Sequence, residues 1–382
     1  VDHLMILNSL LFIVLSILCY PAAARAMAAA AFPDDVVQLL KQLMSIPSNT
    51  GEEGDAVDYL VAGLHADGWF VHRQAVGERG RANVYATRVP IGERAPRLVF
   101  NSHIDTVPPH VDYREDEENV YGRGSCDAKG QVAAMILAAR HLIRHRPALA
   151  ADVGLLFVVG EETDHAGMIK ANSLPGFAPE YLIVGEPTEM KFATIQKGAC
   201  KVTLRVTGKA GHSGYPSSGE SAIHRLLEIL KDITEEQWPK DEKHGDTTYN
   251  IGTIAGGQAL NAWAANAEAS IFFRVTTSYA DVRARVERIV AGRAEIDHSL
   301  GGNDPVLLSL PSFPHETGQA SFNTDIPYYD KFKSLKGVYL FGAGSITVAH
   351  GPREFVPIAE LRAAVGKHVQ LAESILVREH DY

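Results

Sequence analysis

The chain is 382 residues long, and its 46% hydrophobic and 21% charged residues are enough for two or three globular domains. Its 46 acids against 36 bases leave a formal charge of −10, which repels phosphate backbones and argues against nucleic acid as a partner. Three cysteines exclude a disulfide-built scaffold, and 33 glycines with 19 prolines exclude collagenous and low-complexity classes.

The segment Leu4 to Tyr20 is apolar apart from Asn8, Ser9 and Ser16, and Pro21 and the run AAARAM follow it. This pattern predicts a secretory signal over residues 1–26, cut after Ala24-Arg25-Ala26, with a secreted or periplasmic mature chain from about Met27. The run Leu10 to Tyr20, broken by Ser16, falls short of the about 20 residues that span a bilayer, so a membrane anchor is a lesser reading, as is a cytoplasmic location. Cys126 and Cys200 would remain after cleavage and leave a pairing open.

Helices are expected over Asp34 to Met44 and Gly54 to Asp67, then a short buried strand from Arg97 to Phe100. Gln131 to His145 places Val132, Met135, Ile136, Ala139, Leu142 and Ile143 at helical spacing. Leu155 to Val159 and Tyr181 to Val184 read as buried strands. Continuous apolar strands between helices predict an α/β domain whose mostly parallel sheet is covered on both faces. Around Cys200 the pattern changes. Lys201 to Val206 alternates polar and apolar, and a helix (Ser221 to Ile233), two strands (Thr248 to Ile254, Glu268 to Val275) and a helix (Ala280 to Val290) follow. We therefore expect a catalytic domain of 27–197 and 312–382 interrupted by an α+β domain over 198–311. The strand Val338 to Phe341 and a helix from Ile358 complete the first.

Chemistry-bearing residues gather where these strands end. The strand before Asn101 leads to His103 and Asp105, that before Gly160 to Glu161 and Glu162, and that before Gly185 to Glu186. The strand before Gly342 leads through Gly344 to His350, and Asp127 precedes the helix of 131–145. Sites in open α/β sheets form outside the carboxyl ends of strands. One acid after a strand is ordinarily a solvated loop residue or a cap; four such ends together with Asp127 point to a cluster of nitrogen and oxygen ligands suited to zinc, cobalt or manganese. Other patterns carry less. His141 and His145 lack the intervening glutamate of HExxH, Gly211-His212-Ser213-Gly214-Tyr215 misses the last glycine of a nucleophile elbow, and Gly122-x-Gly124 has Asp127 where a dinucleotide fingerprint needs glycine. Cys126 reads as a packed small residue.

Taken with HIDTVP, GRGSCDAKG, VVGEET, VGEPT, GKAGHSGYP and AHGPREFV, the chain from about Pro33 onward resembles the co-catalytic zinc amidohydrolases and metallopeptidases, among them acetylornithine deacetylase, succinyl-diaminopimelate desuccinylase, aminoacylase and glutamate carboxypeptidase. The resemblance implies two Zn2+ per chain, with Co2+ or Mn2+ as substitutes, bridged by Asp127. His103 and Glu186 would complete one site, and Glu162 and His350 the other. Asp105 would orient His103, Glu161 would be the general base, and His212 would stabilise the oxyanion across a homodimer formed by a ferredoxin-like inserted lid domain. Asn261, Arg274 and Gly344 are candidate contacts to the substrate. Two departures lie beside the site: Ala128 stands where many members carry a second Asp, and Ala343-Gly344-Ser345 replaces a proline-containing turn. The activity expected is hydrolysis of N-acyl amino acids. An exo-carboxypeptidase acting on short peptides is the nearest alternative, and a serine hydrolase using Ser213 or a non-catalytic binding protein are the others.

Overall fold

The computed structural model describes residues 31–377. The expected secretory signal and its cleavage site lie outside the described residues. Among the described residues, no helix is long and apolar enough to cross a membrane. The chain forms two compact units, one running to Ala193 and resuming at Ser309–Thr317 and from Tyr328, the other comprising Thr194–Leu308 and Gly318–Pro327.

In chain order the first unit carries helices α1 (Val36–Met44) and α2 (Gly54–Ala66), strands β1 (Phe70–Ala75), β2 (Ala82–Thr87) and β3 (Leu98–His103), helix α3 (Lys129–His145), and strands β4 (Val153–Val158) and β5 (Tyr181–Val184). The second unit contains β6 (Gly198–Thr207), α4 (Ala222–Glu235), β7 (Thr248–Gly256), β8 (Asn266–Val275), α5 (Tyr279–Val290) and β9 (Glu295–Asp297). The chain then adds β10 (Gly337–Leu340) and α6 (Ile358–Leu376) to the first unit.

The first unit's sheet runs β1-β2-β4-β3-β5-β10. Strands β4, β3, β5 and β10 are parallel, with Phe100 level with both Leu155 and Ile183 and Val338 level with Leu182, while β2 and β1 extend the sheet antiparallel. Every residue of β2, β3, β4 and β10 is buried. Successive side chains of a strand face opposite ways, so burial at each position means that both faces are covered. Helix α3 is buried nearly all round from Lys129 to Ala139, as suits a helix packed against the sheet on one side and α6 on the other. Helix α1 starts where Asp35 accepts hydrogen bonds from the backbone N–H groups of Val37 and Gln38. Because β4, β3, β5 and β10 are parallel, their carboxyl ends share one edge.

The second unit is a β-α-β-β-α-β arrangement whose antiparallel sheet has the order β7-β8-β6-β9, the ferredoxin-like topology. Residues alternate along β8, with Ala267, Ala269, Ile271, Phe273 and Val275 turned inward onto α4 and α5. The other face of the sheet is more open, and β7 is mostly exposed.

The sequence places 318–327 with the first unit, whereas it packs with the second. The Lys197 N–H donates to the Ala320 carbonyl, Thr194 donates to the Gly318 carbonyl, and Gln196 is bonded to both Asn323 and Thr324. Cys126 and Cys200 are both buried, free thiols.

Candidate metal centre

Strand β3 ends at His103, and its last residues are fastened sideways. Asn101 donates from its amide to the Leu156 carbonyl, Ser102 donates to the Gly185 carbonyl, and the Gly185 N–H donates to the Asn101 carbonyl. These bonds hold the end of β5, and with it Glu186, next to His103. Asp127 comes from the loop that opens α3, and the Asp127–Ala128 peptide is cis. Gln131, one turn into α3, donates to the carbonyls of Cys126 and Ala343 and accepts from the Ala343 N–H, which joins this loop to the turn after β10.

Five expected ligands converge. The two carboxylate oxygens of Asp127 face different imidazoles, Oδ1 at 3.0 Å from His103 Nε2 and Oδ2 at 3.1 Å from His350 Nε2. Glu186 Oε1 lies 3.8 Å from His103 Nε2, and Glu162 Oε2 lies 3.0 Å from His350 Nε2. His103, Asp127 and Glu186 are each less than 5% exposed, whereas the His350 side chain is about half exposed. Three carboxylates this close repel unless positive charge lies among them.

Burial works against a charged His103, yet Asp105 and Asp127 outweigh it and hold the imidazole pKa well above its ordinary value. Hydrogen bonds to Asp127 and Glu162 push His350 up to about 10. Asp127 itself is buried, but its two histidines keep its carboxyl below the usual range. Glu162 is raised, first by burial, despite its bond to His350.

The residues fit a pair of divalent cations. Among the described residues Glu162 Oε1 is buried with no hydrogen-bond partner, and His103, Asp127 and Glu162 bring donor atoms within 4.8 Å of one another. The set combines imidazole nitrogen with carboxylate oxygen, which suits zinc and its borderline neighbours, and one carboxylate spans two histidines as a bridging ligand does.

Asp105 organises the cluster in more ways than expected. His103 Nδ1 is 2.9 Å from the Asp105 backbone carbonyl and 3.5 Å from its carboxylate. A carbonyl only accepts, so Nδ1 carries the proton in that bond and Nε2 is the ligand nitrogen. The carboxylate instead accepts from Thr50 Oγ1 at 2.8 Å and from the backbone N–H groups of Glu161 and Glu162 at 3.1 and 3.2 Å. One aspartate therefore fixes the tautomer of a ligand and the turn that bears Glu161. Glu161 itself is mostly buried, with Oε1 at 3.9 Å from His165 Nδ1, and the His165 ring stacks on Tyr328 at 3.8 Å.

Gly344 is held within its own turn. It is buried, its N–H donates to Glu360 and its carbonyl accepts from the Glu189 N–H. At φ +83°, and with a Cβ there lying 2.6 Å from that of Cys126, the position needs glycine for the turn.

His212, Asn261 and Arg274 belong to the second unit. His212 and Asn261 are neighbours and exposed: His212 bridges to Ala262, and the Ser213 N–H donates to the Asn261 carbonyl. The Arg274 guanidinium lies over the Phe272 ring at 4.0 Å. The histidines set aside from the sequence stay outside the cluster, and His141 and His145 pack ring to ring on the exposed side of α3. Sequence reasoning missed Thr50, which no pattern marks, and also Arg123 and Glu354. Those two lie inside GRGSCDAKG and AHGPREFV, where no spacing marks a pair.

The chain is similar to known proteins over most of its length. A family model described as a peptidase dimerisation domain matches residues 194–298. A peptidase M20 domain-containing protein of Schizosaccharomyces pombe is 38% identical over 335 residues, which cover 86% of this chain and 82% of that protein. A Talaromyces marneffei protein named "Probable carboxypeptidase" is 34% identical, covering 90% of this chain and 86% of its own length. The solved structure of an M20 family metallo-carboxypeptidase from Sulfolobus solfataricus aligns with a TM-score of 0.69 at 17% identity, over 90% of this chain and 100% of that one, and so shares the fold.

Proposed function

The chain belongs to the M20 family of metallopeptidases, enzymes of peptide and amide bonds, and on that premise we propose that it is a dinuclear carboxypeptidase releasing C-terminal residues from short peptides. The observation that carries the dinuclear reading is Asp127, whose two oxygens each lie within 3.1 Å of a histidine from a different strand end. His103 and Glu186 would hold one cation with it, and Glu162 and His350 the other. Zn2+ is the cation we assign, with Co2+ or Mn2+ able to replace it.

Two cations bound there would polarise the scissile carbonyl and bring the pKa of a shared water down towards neutrality, to about 7. Glu161 takes that water's proton and returns it to the departing amine nitrogen. Asp105 keeps Glu161 in place through its backbone and keeps the His103 lone pair turned inward. By the family resemblance, His212 donates to the developing oxyanion, Arg274 binds the substrate carboxylate with its planar fork, and Asn261 adds a further contact. The dimerisation-domain match supports a homodimer formed through the second unit.

The resemblance drawn from the sequence favours N-acyl amino acids. Relatives named as carboxypeptidases support peptide substrates instead, and both classes present an amide next to a free carboxylate. Export stays a proposal on residues 1–26, supported if the exported protein begins near Met27.

The test is release of free amino acid from N-blocked dipeptides, with N-acetyl amino acids alongside, by wild type and Glu161→Ala. We expect faster turnover of the dipeptides, and a loss of about 10²–10⁴-fold in kcat for Glu161→Ala with unchanged metal content. Faster release of acetate would move the assignment to the deacylases. Activity that survives chelation and disappears in Ser213→Ala would overturn the metal mechanism.

A further inference from the structure

We propose that Arg123 and Glu354 form a buried positioning pair that sets the separation of Asp127 and His350, and so the affinity of the dinuclear site. The inference rests on the dinuclear reading above. Both side chains are nearly inaccessible, 2% and 1% exposed, and Arg123 Nη1 donates to Glu354 Oε2 at 2.6 Å.

What surrounds the pair is mostly the backbone of ligand-bearing segments. Glu354 Oε1 accepts from the N–H groups of Gly124 at 2.9 Å, Cys126 at 3.3 Å and Asp127 at 3.3 Å. A single carboxylate oxygen thus holds the loop that presents the bridging aspartate, including that residue's own amide. Arg123 uses the rest of its fork elsewhere. Nη2 donates to the His350 carbonyl at 3.1 Å, Nη1 to the Gly351 carbonyl at 3.2 Å, and Nε to the Val107 carbonyl at 2.8 Å, two residues beyond Asp105.

The His350 backbone has φ 62°, the left-handed region that a residue with a side chain rarely adopts. Such a conformation persists only where surrounding bonds over-determine it, and the Arg123 bonds to His350 and Gly351 supply that constraint. A buried ion pair adds little net stability compared with apolar packing, because desolvation offsets the attraction. Here the planar guanidinium offers donors at fixed angles to the Val107 carbonyl and to three residues of the 350–354 segment at once, which an apolar pair or a lysine cannot do. The arrangement reads as a device for geometry: outer groups that orient metal ligands raise affinity by holding them ready.

The test is a Co2+ titration of the full chain, followed by the visible absorption of the bound ion, for wild type, Glu354→Gln, Arg123→Lys and Glu354→Ala. Far-UV circular dichroism identifies the folded variants. Glu354→Gln has the same shape and keeps an oxygen for the amides while losing the charge pairing, so it decides the matter if Glu354→Ala does not fold. We expect half-saturation to rise about 10–100-fold in Arg123→Lys and Glu354→Ala, and by a smaller factor in Glu354→Gln, with an altered absorption band. Folded variants, Glu354→Gln among them, that keep the wild-type half-saturation and spectrum would overturn the pair's role and leave the dinuclear reading intact. Absence of Co2+ binding by wild type would instead overturn the dinuclear reading, and the pair's role with it.

Discussion

The two units place polar residues in opposite ways. In the first, His103, Asp105, Asp127, Glu186, Arg123 and Glu354 are all buried, and each is held by named hydrogen bonds or ion pairs from neighbouring loops. In the second, His212 and Asn261 sit exposed, and the core between the sheet and its two helices is apolar. Burying that many charges is costly unless each is paired. The first unit therefore spends structure on chemistry, while the second uses its buried positions for a core. One consequence is that damage to the two units should separate by readout, with metal lost in one case and stability in the other.

The largest effect is expected at Asp127. Asp127→Asn removes the carboxylate whose two oxygens lie within 3.1 Å of His103 and His350, so metal analysis should find both cations lost and peptide turnover at background. Retention of either cation at wild-type affinity would contradict the bridging assignment. Next is the core of the second unit. Phe273 is fully buried, with its ring 4.5 Å from that of Trp238, so Phe273→Ala should cost about 3–5 kcal/mol in denaturant unfolding. Metal affinity of the remaining folded protein should not change; a parallel loss of metal would show that the separation fails.

The smallest effect concerns pH. His368 on α6 lies edge-on to both Phe100 and Phe341, neither ring nitrogen has a hydrogen-bond partner, and burial pushes its pKa down to about 3. The ring is neutral in the fold but protonates near 6.5 in the unfolded chain, so the unfolded state binds more protons between those values. Its contribution is fully present above about pH 6.5 and is lost as pH falls towards 3, with a limiting slope of about 1.4 kcal/mol per pH unit. Chemical denaturation from pH 7 to 4.5 should show a shallower decline in His368→Leu than in wild type. Equal slopes would mean that the ring finds a partner on protonation.

Much of this was readable before any coordinates. The buried strands announced themselves by apolar runs, and the ligands by following those runs directly. The strands β1 and β2 were not expected, since His72, Arg73 and Gln74 interrupt the first and Asn83 the second. In the fold Asn83 is buried and its amide donates to Gln74 and to the Gly167 carbonyl, a solution that no local pattern reveals. Strand β9 is only three residues long, too short for periodicity to mark. Nothing in the sequence marks that both backbone groups of Gly344 are bonded within its turn. The roles of Arg123 and Glu354 depend on a pairing across 231 positions of chain, which spacing cannot suggest. His212, Asn261 and Arg274 rest on resemblance, since their own surroundings mark no chemistry.

The central claim is that Asp127 bridges two cations. Anomalous diffraction at the zinc edge, on crystals of the zinc-loaded chain, tests it most directly. The account predicts two peaks on either side of the Asp127 carboxylate, one beside His103 and Glu186 and the other beside Glu162 and His350. A single peak, or peaks away from Asp127, would contradict it.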